Sequence, residues 1–193
     1  MIRSGLPLRH REAKPEALDR TGPWAVAYDG ALTVVNQGGM ACVLGQRGTG
    51  KTQLATELAR AFIINRNSER RDEDAPVLYV RAMELFAALR GAFRKGSEQT
   101  EMDVLAKFRK VPLLIIDEIQ ERAQTEFEDR MLVLLLDQRY GDMKPTVLLS
   151  NLARAELAAS LGKSVVSRIQ EVGTVIECNW KSYRTAKAEK GEA

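Results

Sequence analysis

Histidine is nearly missing from this chain: His10 is the only one in 193 residues. That comes close to excluding a histidine-based catalytic triad or a histidine-rich metal centre. Cysteine is scarce as well. Cys42 and Cys178 are too few for a disulfide framework or a zinc site, and each sits in an apolar segment, as small buried core residues do. No apolar run approaches the ~20 residues that a membrane-spanning helix requires. The N-terminal Met1-Ile2-Arg3-Ser4-Gly5 lacks the continuous apolar stretch of a signal peptide, so a cytoplasmic protein with no membrane contact is expected. Charge of one sign is not in large excess: the formal net charge is +3, too mild by itself to diagnose a polyanionic partner. There is no internal repeat and no low-complexity tract.

What remains is an ordinary globular composition, 45% hydrophobic and 28% charged, at a length that fits one domain with a real core. Residues 1–23 carry Gly5, Pro7, Pro15, Gly22 and Pro23 with little apolar periodicity, and Arg3, Arg9, Arg11 and Lys14 crowd there. They are expected to form a basic arm or linker, followed by a domain over 24–184 and a charged tail over 185–193. Within the domain, short aliphatic runs alternate with helical patterns. The strands are expected at Met40–Leu44, Val77–Val80, Leu113–Ile116, Thr146–Asn151 and Thr174–Cys178. Helices are expected over Trp24–Val35, Gly50–Asn65, Met83–Lys95, Glu101–Arg109 and 125–140, with two short ones at about 154–161 and 163–171. Near-continuous aliphatic strands between helices indicate an α/β fold with a parallel sheet covered on both faces. Ligands bind such sheets at the C-terminal ends of the strands.

Three polar features fall at those ends. Gly45-Gln46-Arg47-Gly48-Thr49-Gly50-Lys51-Thr52 matches the phosphate-binding pattern G-x-x-x-x-G-K-T between a strand and a helix. Its glycines let the backbone curl so that amide groups face phosphate oxygens, and the helix N-terminus favours negative charge. Lys51 would reach the β- and γ-phosphates of ATP, and the Thr52 hydroxyl would ligate Mg²⁺. Asp117 closes the third aliphatic run, the position of an acid that holds Mg²⁺. Glu118 beside it can act as general base on water, which favours hydrolysis over transfer to a small-molecule hydroxyl. Intact Lys51, Asp117 and Glu118 also argue against a non-catalytic nucleotide-dependent module. Asn151 ends the fourth strand, where it either orients the lytic water or caps a turn.

Two further groups are more open. Arg168 is either a solvated helix arginine or a finger that reaches a neighbouring subunit's γ-phosphate. Arg90 and Arg94 share a helical face, with Phe93 and Lys95 beside them. This group is either a stripe that tracks a nucleic-acid backbone or the solvated side of an amphipathic helix.

From about Met40 to Arg184 the chain resembles the AAA+ ATPases of the DnaC/DnaI helicase-loader and IstB transposition-helper group. The resemblance rests on Gly45–Thr52, Leu114-Ile115-Ile116-Asp117-Glu118-Ile119, Asp137-Gln138-Arg139-Tyr140, Lys144-Pro145-Thr146 and Ser150-Asn151. It continues through Leu161-Gly162, Ser167-Arg168 and the closing Trp180-Lys181-Ser182-Tyr183-Arg184. It implies a P-loop NTPase three-layer sandwich of the AAA+/ASCE type, with strand order 5-1-4-3-2 and a minimal or absent lid. It maps Asn151 to sensor 1 and Arg168 to the arginine finger. Ala92-Phe93-Arg94-Lys95 with Ser97-Glu98 resembles the segment that touches single-stranded DNA. Implied partners are a replicative DNA helicase, single-stranded DNA and further copies of the chain in an ATP-dependent oligomer. The alternative is a transposase acting with the chain on duplex DNA. Loaders carry an N-terminal domain that grips the helicase; here only the basic arm precedes the ATPase core, so that half is expected to be missing or replaced.

Overall fold

The computed structural model describes residues 5–13, 22–67, 76–92 and 98–183. Five parallel strands, β1 (Met40–Leu44), β2 (Val77–Arg81), β3 (Leu113–Asp117), β4 (Thr146–Ser150) and β5 (Thr174–Glu177), form one sheet in the order β2-β3-β4-β1-β5. Counted from the other edge this is 5-1-4-3-2, the expected arrangement.

Alternation along each strand divides the core in two. Met40, Cys42 and Leu44 of β1, with Leu114 and Ile116 of β3, face one layer. Ala41, Val43, Leu113 and Ile115 face the other. The first layer contains α4 (Ala82–Gly91), α5 (Glu101–Lys110), α6 (Glu126–Gly141), α7 (Leu157–Leu161) and α8 (Lys163–Val172). The second contains α2 (Pro23–Asn36) and α3 (Lys51–Asn67). The result is a three-layer α/β/α sandwich. Both cysteines are buried and free.

Local chemistry sets the helix ends. Proline at the first position of α2 costs no hydrogen bond, because that amide would be unpaired in any case. Thr100 and Asp103 exchange side chain-to-backbone hydrogen bonds at the start of α5, a capping box. Thr125 accepts from the Glu128 amide at the start of α6, whose first turn holds Glu126, Glu128 and Asp129. The helix expected to run to Lys95 instead ends at Gly91 with Ala92 as its C-cap; glycine is a poor helix former. Phe93, Arg94 and Lys95 lie outside the described residues.

The N-terminal segment also departs from its sequence pattern. Leu8–Arg11 forms a short helix, α1, laid against α3. His10 Nδ1 is 2.9 Å from Gln53 Oε1, and Arg60 donates to the carbonyls of Ala13, at 3.2 Å, and Arg11. Leu6 is buried. These contacts are between segments remote in sequence, so local periodicity carries no trace of them. Among the described residues, no helix is long and apolar enough to cross a membrane.

Candidate nucleotide site

The eight-residue loop leaves β1 level with the ends of β4 and β5, since Leu44 pairs with Ser150 and with Glu177. Gly48 and Gly50 have φ of 88° and 87°, values open to glycine at little cost. The loop is braced from within. Thr49 Oγ1 donates to the Gln46 carbonyl at 2.9 Å, and Lys51 Nζ donates to the carbonyls of Gly45 at 2.6 Å and Gln46 at 2.9 Å. Lys51 is 8% exposed, so its charge is directed into the loop rather than into solvent. Arg47 at the loop tip makes an exposed 3.1 Å pair with Glu121.

Asp117 stands where β3 ends and is held on both carboxylate oxygens. Oδ2 accepts from Thr52 Oγ1 at 2.9 Å and from Tyr79 Oη at 2.6 Å; Oδ1 accepts from the Glu118 amide at 2.7 Å. Tyr79 reaches it because β2 and β3 run in register, Arg81 opposite Asp117. Burial and the Asp117 charge push the Tyr79 phenol far above its ordinary value, so it stays a donor. Glu118 has φ of 54°, a conformation that costs a non-glycine residue energy and is concentrated at functional sites. That turn returns the chain toward β4, where the Ile119 amide donates to the Leu149 carbonyl at 3.1 Å. The Glu118 side chain stays 42% exposed, with Arg81 Nε 3.7 Å from its carboxylate.

Asn151 follows the last residue of β4, and its amide donates to Gln120 Oε1 at 3.1 Å; the Ser150 hydroxyl donates to the same oxygen at 2.9 Å. Gln120 thus ties the ends of β3 and β4 together. A cavity of about 600 Å³ opens beside this edge, lined by Gly45, Gln46, Asn151, Arg154, Glu177 and Trp180 among others. The structure therefore places the phosphate loop, Asp117, Glu118 and Asn151 at one end of the sheet.

Arg168 and Arg90 lie elsewhere. Arg168 is on α8, in the layer opposite α3. Its Nε is 2.9 Å from Asp137 Oδ1, and its Nη2 donates to Asp137 Oδ2 at 3.1 Å. Nη1 donates to the Ser164 carbonyl at 3.0 Å and to the Ser164 hydroxyl, and the guanidinium lies 5.7 Å from the Tyr140 ring centroid. Arg90 makes a 2.5 Å ion pair with Glu128, whose side chain is 1% exposed. Glu128 also accepts from the Gln124 amide at 2.9 Å. The Arg90 side chain, half exposed, is thus partly committed to neutralising a buried carboxylate.

The donor set fits a magnesium–nucleotide complex. A threonine hydroxyl and a carboxylate 2.9 Å apart are the hard oxygen donors that magnesium prefers, with few protein ligands needed. The loop supplies amides, a cation and a helix N-terminus for phosphate. Sequence reasoning missed Tyr79, Gln120 and Arg81, which fix the acidic residues and Asn151 through contacts between strands. Arg81 carried the one usable signal, a charged side chain at the end of an otherwise apolar strand, whereas Tyr79 sits in mid-strand.

Comparison with known proteins gives a consistent result. Over 175 residues the chain is 26% identical to the replicative helicase loader DnaC of Escherichia coli K12, covering 90% of this chain and 65% of that protein. The DnaC loader of Buchnera aphidicola subsp. Baizongia pistaciae is 30% identical over 141 residues, 72% of this chain and 54% of that one. The chain thus spans between about half and two-thirds of the length of these relatives. Among solved structures, a DnaC helicase loader superposes with a TM-score of 0.70 at 21% identity, covering 89% of this chain and 99% of that chain. AMPPCP-bound DnaA from Aquifex aeolicus gives a TM-score of 0.72 at 20% identity, over 96% of this chain and 55% of that chain. These two likenesses establish the shared AAA+ fold. Residues 26–191 match the family model described as IstB-like ATP binding protein, and the chain belongs to that family of DnaC/IstB-like AAA+ ATPases.

Proposed function

We propose that this chain is a DnaC-like replication ATPase, a helicase loader that binds single-stranded DNA and acts on a replicative DNA helicase. The observation that carries the reading is the shared edge of the sheet, where Lys51, Thr52, Asp117, Glu118 and Asn151 gather. Gly45 to Thr52 cradle the phosphates of ATP and Lys51 balances their charge. Thr52 and Asp117 would hold magnesium, which supplies charge neutralisation on the β- and γ-phosphates. Glu118 accepts a proton from the attacking water, and Asn151 orients that water. The exposed Glu118 carboxylate beside Arg81 suits this role, because it is the acid of the pair left open to solvent.

Arg168 completes the site of a neighbouring copy as the finger. Its commitment to Asp137 and Ser164 within one chain means that the guanidinium has to leave Asp137 to meet a phosphate. Both members of that pair are roughly one-third exposed, so the attachment is weak, on the order of 1 kcal/mol or less. A phosphate in a desolvated interface can displace it. Phe93, Arg94 and Lys95, with Arg90, form the proposed contact to DNA. The relatives named as replicative helicase loaders support a helicase as client.

A second reading, an IstB-like transposition helper acting with a transposase on duplex DNA, is favoured by the family match itself. Anisotropy of labelled oligonucleotides separates the two. The loader reading expects ATP to strengthen binding to a single strand over a duplex of the same sequence, and Arg94→Glu to abolish that gain. A preference for duplex favours the transposition helper. No ATP-dependent binding to either form removes the DNA-directed readings.

A further inference from the structure

The closing Trp180-Lys181-Ser182-Tyr183 motif has no place in the chemistry above, yet the structure lays it against the phosphate loop. Beyond β5 the chain continues beside β1, with the Cys178 amide donating to the Leu44 carbonyl at 2.8 Å. It then passes the loop closely. A Cβ placed on Gly45 would lie 2.8 Å from both the Cβ and the carbonyl oxygen of Cys178. At Gly50 the rings of Trp24 and Tyr183 stand at 3.2 Å and 3.4 Å from the same hypothetical atom. Two hydrogen bonds fasten the segment: Trp180 Nε1 donates to the Thr49 carbonyl at 3.0 Å, and the Tyr183 amide donates to the Gly48 carbonyl at 2.9 Å.

Those two carbonyls determine where the following amides point. A trans peptide is planar, with its C=O and N–H directed to opposite sides. With the Gly48 and Thr49 oxygens turned toward the strap, the N–H groups of Thr49 and Gly50 are turned away from it. A phosphate-binding loop works by presenting successive amides in a concavity, and amides fixed beforehand cost less to order when the ligand arrives. We propose that the Trp180 indole and the Tyr183 amide are positioning groups for phosphate binding, and that residues 180–183 act as a splint on the outside of the loop. Thermodynamic linkage then runs both ways. Nucleotide steadies the strap, and anything that pulls the strap aside weakens nucleotide binding. Residues 180–183 are thereby coupled to the phosphate site through the loop backbone.

The inference rests on the loop being the ATP phosphate cradle, so Lys51→Ala serves as the reference: if it binds ATP as well as the parent chain, that reading fails first. Trp180→Phe keeps an aromatic ring and loses the N–H. Tyr183→Pro loses the amide, and Tyr183→Ala keeps it, so their difference isolates that bond. Calorimetry should show Trp180→Phe weakening ATP and tripolyphosphate by the same factor, about three- to tenfold for one hydrogen bond. Tyr183→Pro should bind both more weakly than Tyr183→Ala. The unliganded melting temperature of Trp180→Phe should change by no more than about 2 °C, less than about 1 kcal/mol in a domain of this size. Unchanged affinities would overturn the splint, as would an ATP loss not matched by tripolyphosphate, which would make Trp180 a base or ribose contact. The parent chain gives an independent check. Tryptic cleavage after the exposed Lys181 should slow when ATP is added, and equal cleavage rates with and without ATP would also overturn the proposal.

Discussion

Asp117 is held by Thr52, Tyr79 and the Glu118 amide at once, so its position is over-determined before any ligand arrives. Tyr79 is the removable member of that set. Tyr79→Phe is expected to lower ATP turnover about three- to tenfold while KM for ATP changes less than about twofold, because the lost bond aligns an acid rather than binding substrate. Steady-state kinetics check this, and an unchanged kcat contradicts it. The two thiols give a pH signature. Burial pushes the Cys42 thiol up to about 12 and the Cys178 thiol up to about 11, the latter drawn back slightly by the Lys51 charge. Both folded values exceed the ordinary value of 9.0. The stability this represents is therefore full below pH 9 and is lost as pH rises from there through 11 and 12. Both thiols should resist a disulfide reagent at pH 8.5 in the native chain and react freely in urea. Rapid reaction of the native chain would contradict that.

At the scale of elements, Arg139 of α6 carries an unusual share. It is fully buried, and its guanidinium donates to the carbonyls of Phe108, Arg109, Val111, Pro112 and Pro145 and to the Thr146 hydroxyl. It thereby fastens the end of α5 and the entries to β3 and β4. Burial draws its pKa down to about 9, so it is charged at neutral pH. Arg139→Met strands those acceptors and should cost about 3–5 kcal/mol in urea unfolding; a loss below about 1 kcal/mol would show that the acceptors find other partners.

Strands β1, β3 and β4 were legible in the sequence because short, largely aliphatic runs buried along their whole length leave little ambiguity. The phosphate loop and its acids were legible because their chemistry is confined to consecutive residues. Gln120, Tyr79 and Arg81 were not, since their partners lie across strand boundaries that only the register brings together. Arg90 illustrates the converse: its helical spacing left open a nucleic-acid stripe or a solvated helix face, and its ion pair with the buried Glu128 of α6 lies outside what that local pattern carries.

At the scale of the whole molecule, the proposed function has the active site shared between copies, and on that proposal the Asp137 pair with Arg168 sets how readily the sharing occurs. Asp137→Asn removes the charge that holds Arg168 in its own subunit. Half-maximal ATP turnover should then be reached at about three- to fivefold lower protein concentration, as expected from releasing a surface ion pair of up to about 1 kcal/mol. A rise in the required concentration would instead make Asp137 a support for the finger. The central claim, that Glu118 of one copy works with Arg168 of the next, is tested most directly by mixing two disabled variants. Glu118→Gln lacks the base and keeps the finger; Arg168→Ala lacks the finger and keeps the base. Each alone should hydrolyse ATP at a small fraction of the parent rate. In an equal mixture, random head-to-tail pairing creates an intact site at about one interface in four, so turnover should recover to about a quarter of the parent value. A mixture no faster than the average of its two components would contradict the shared site.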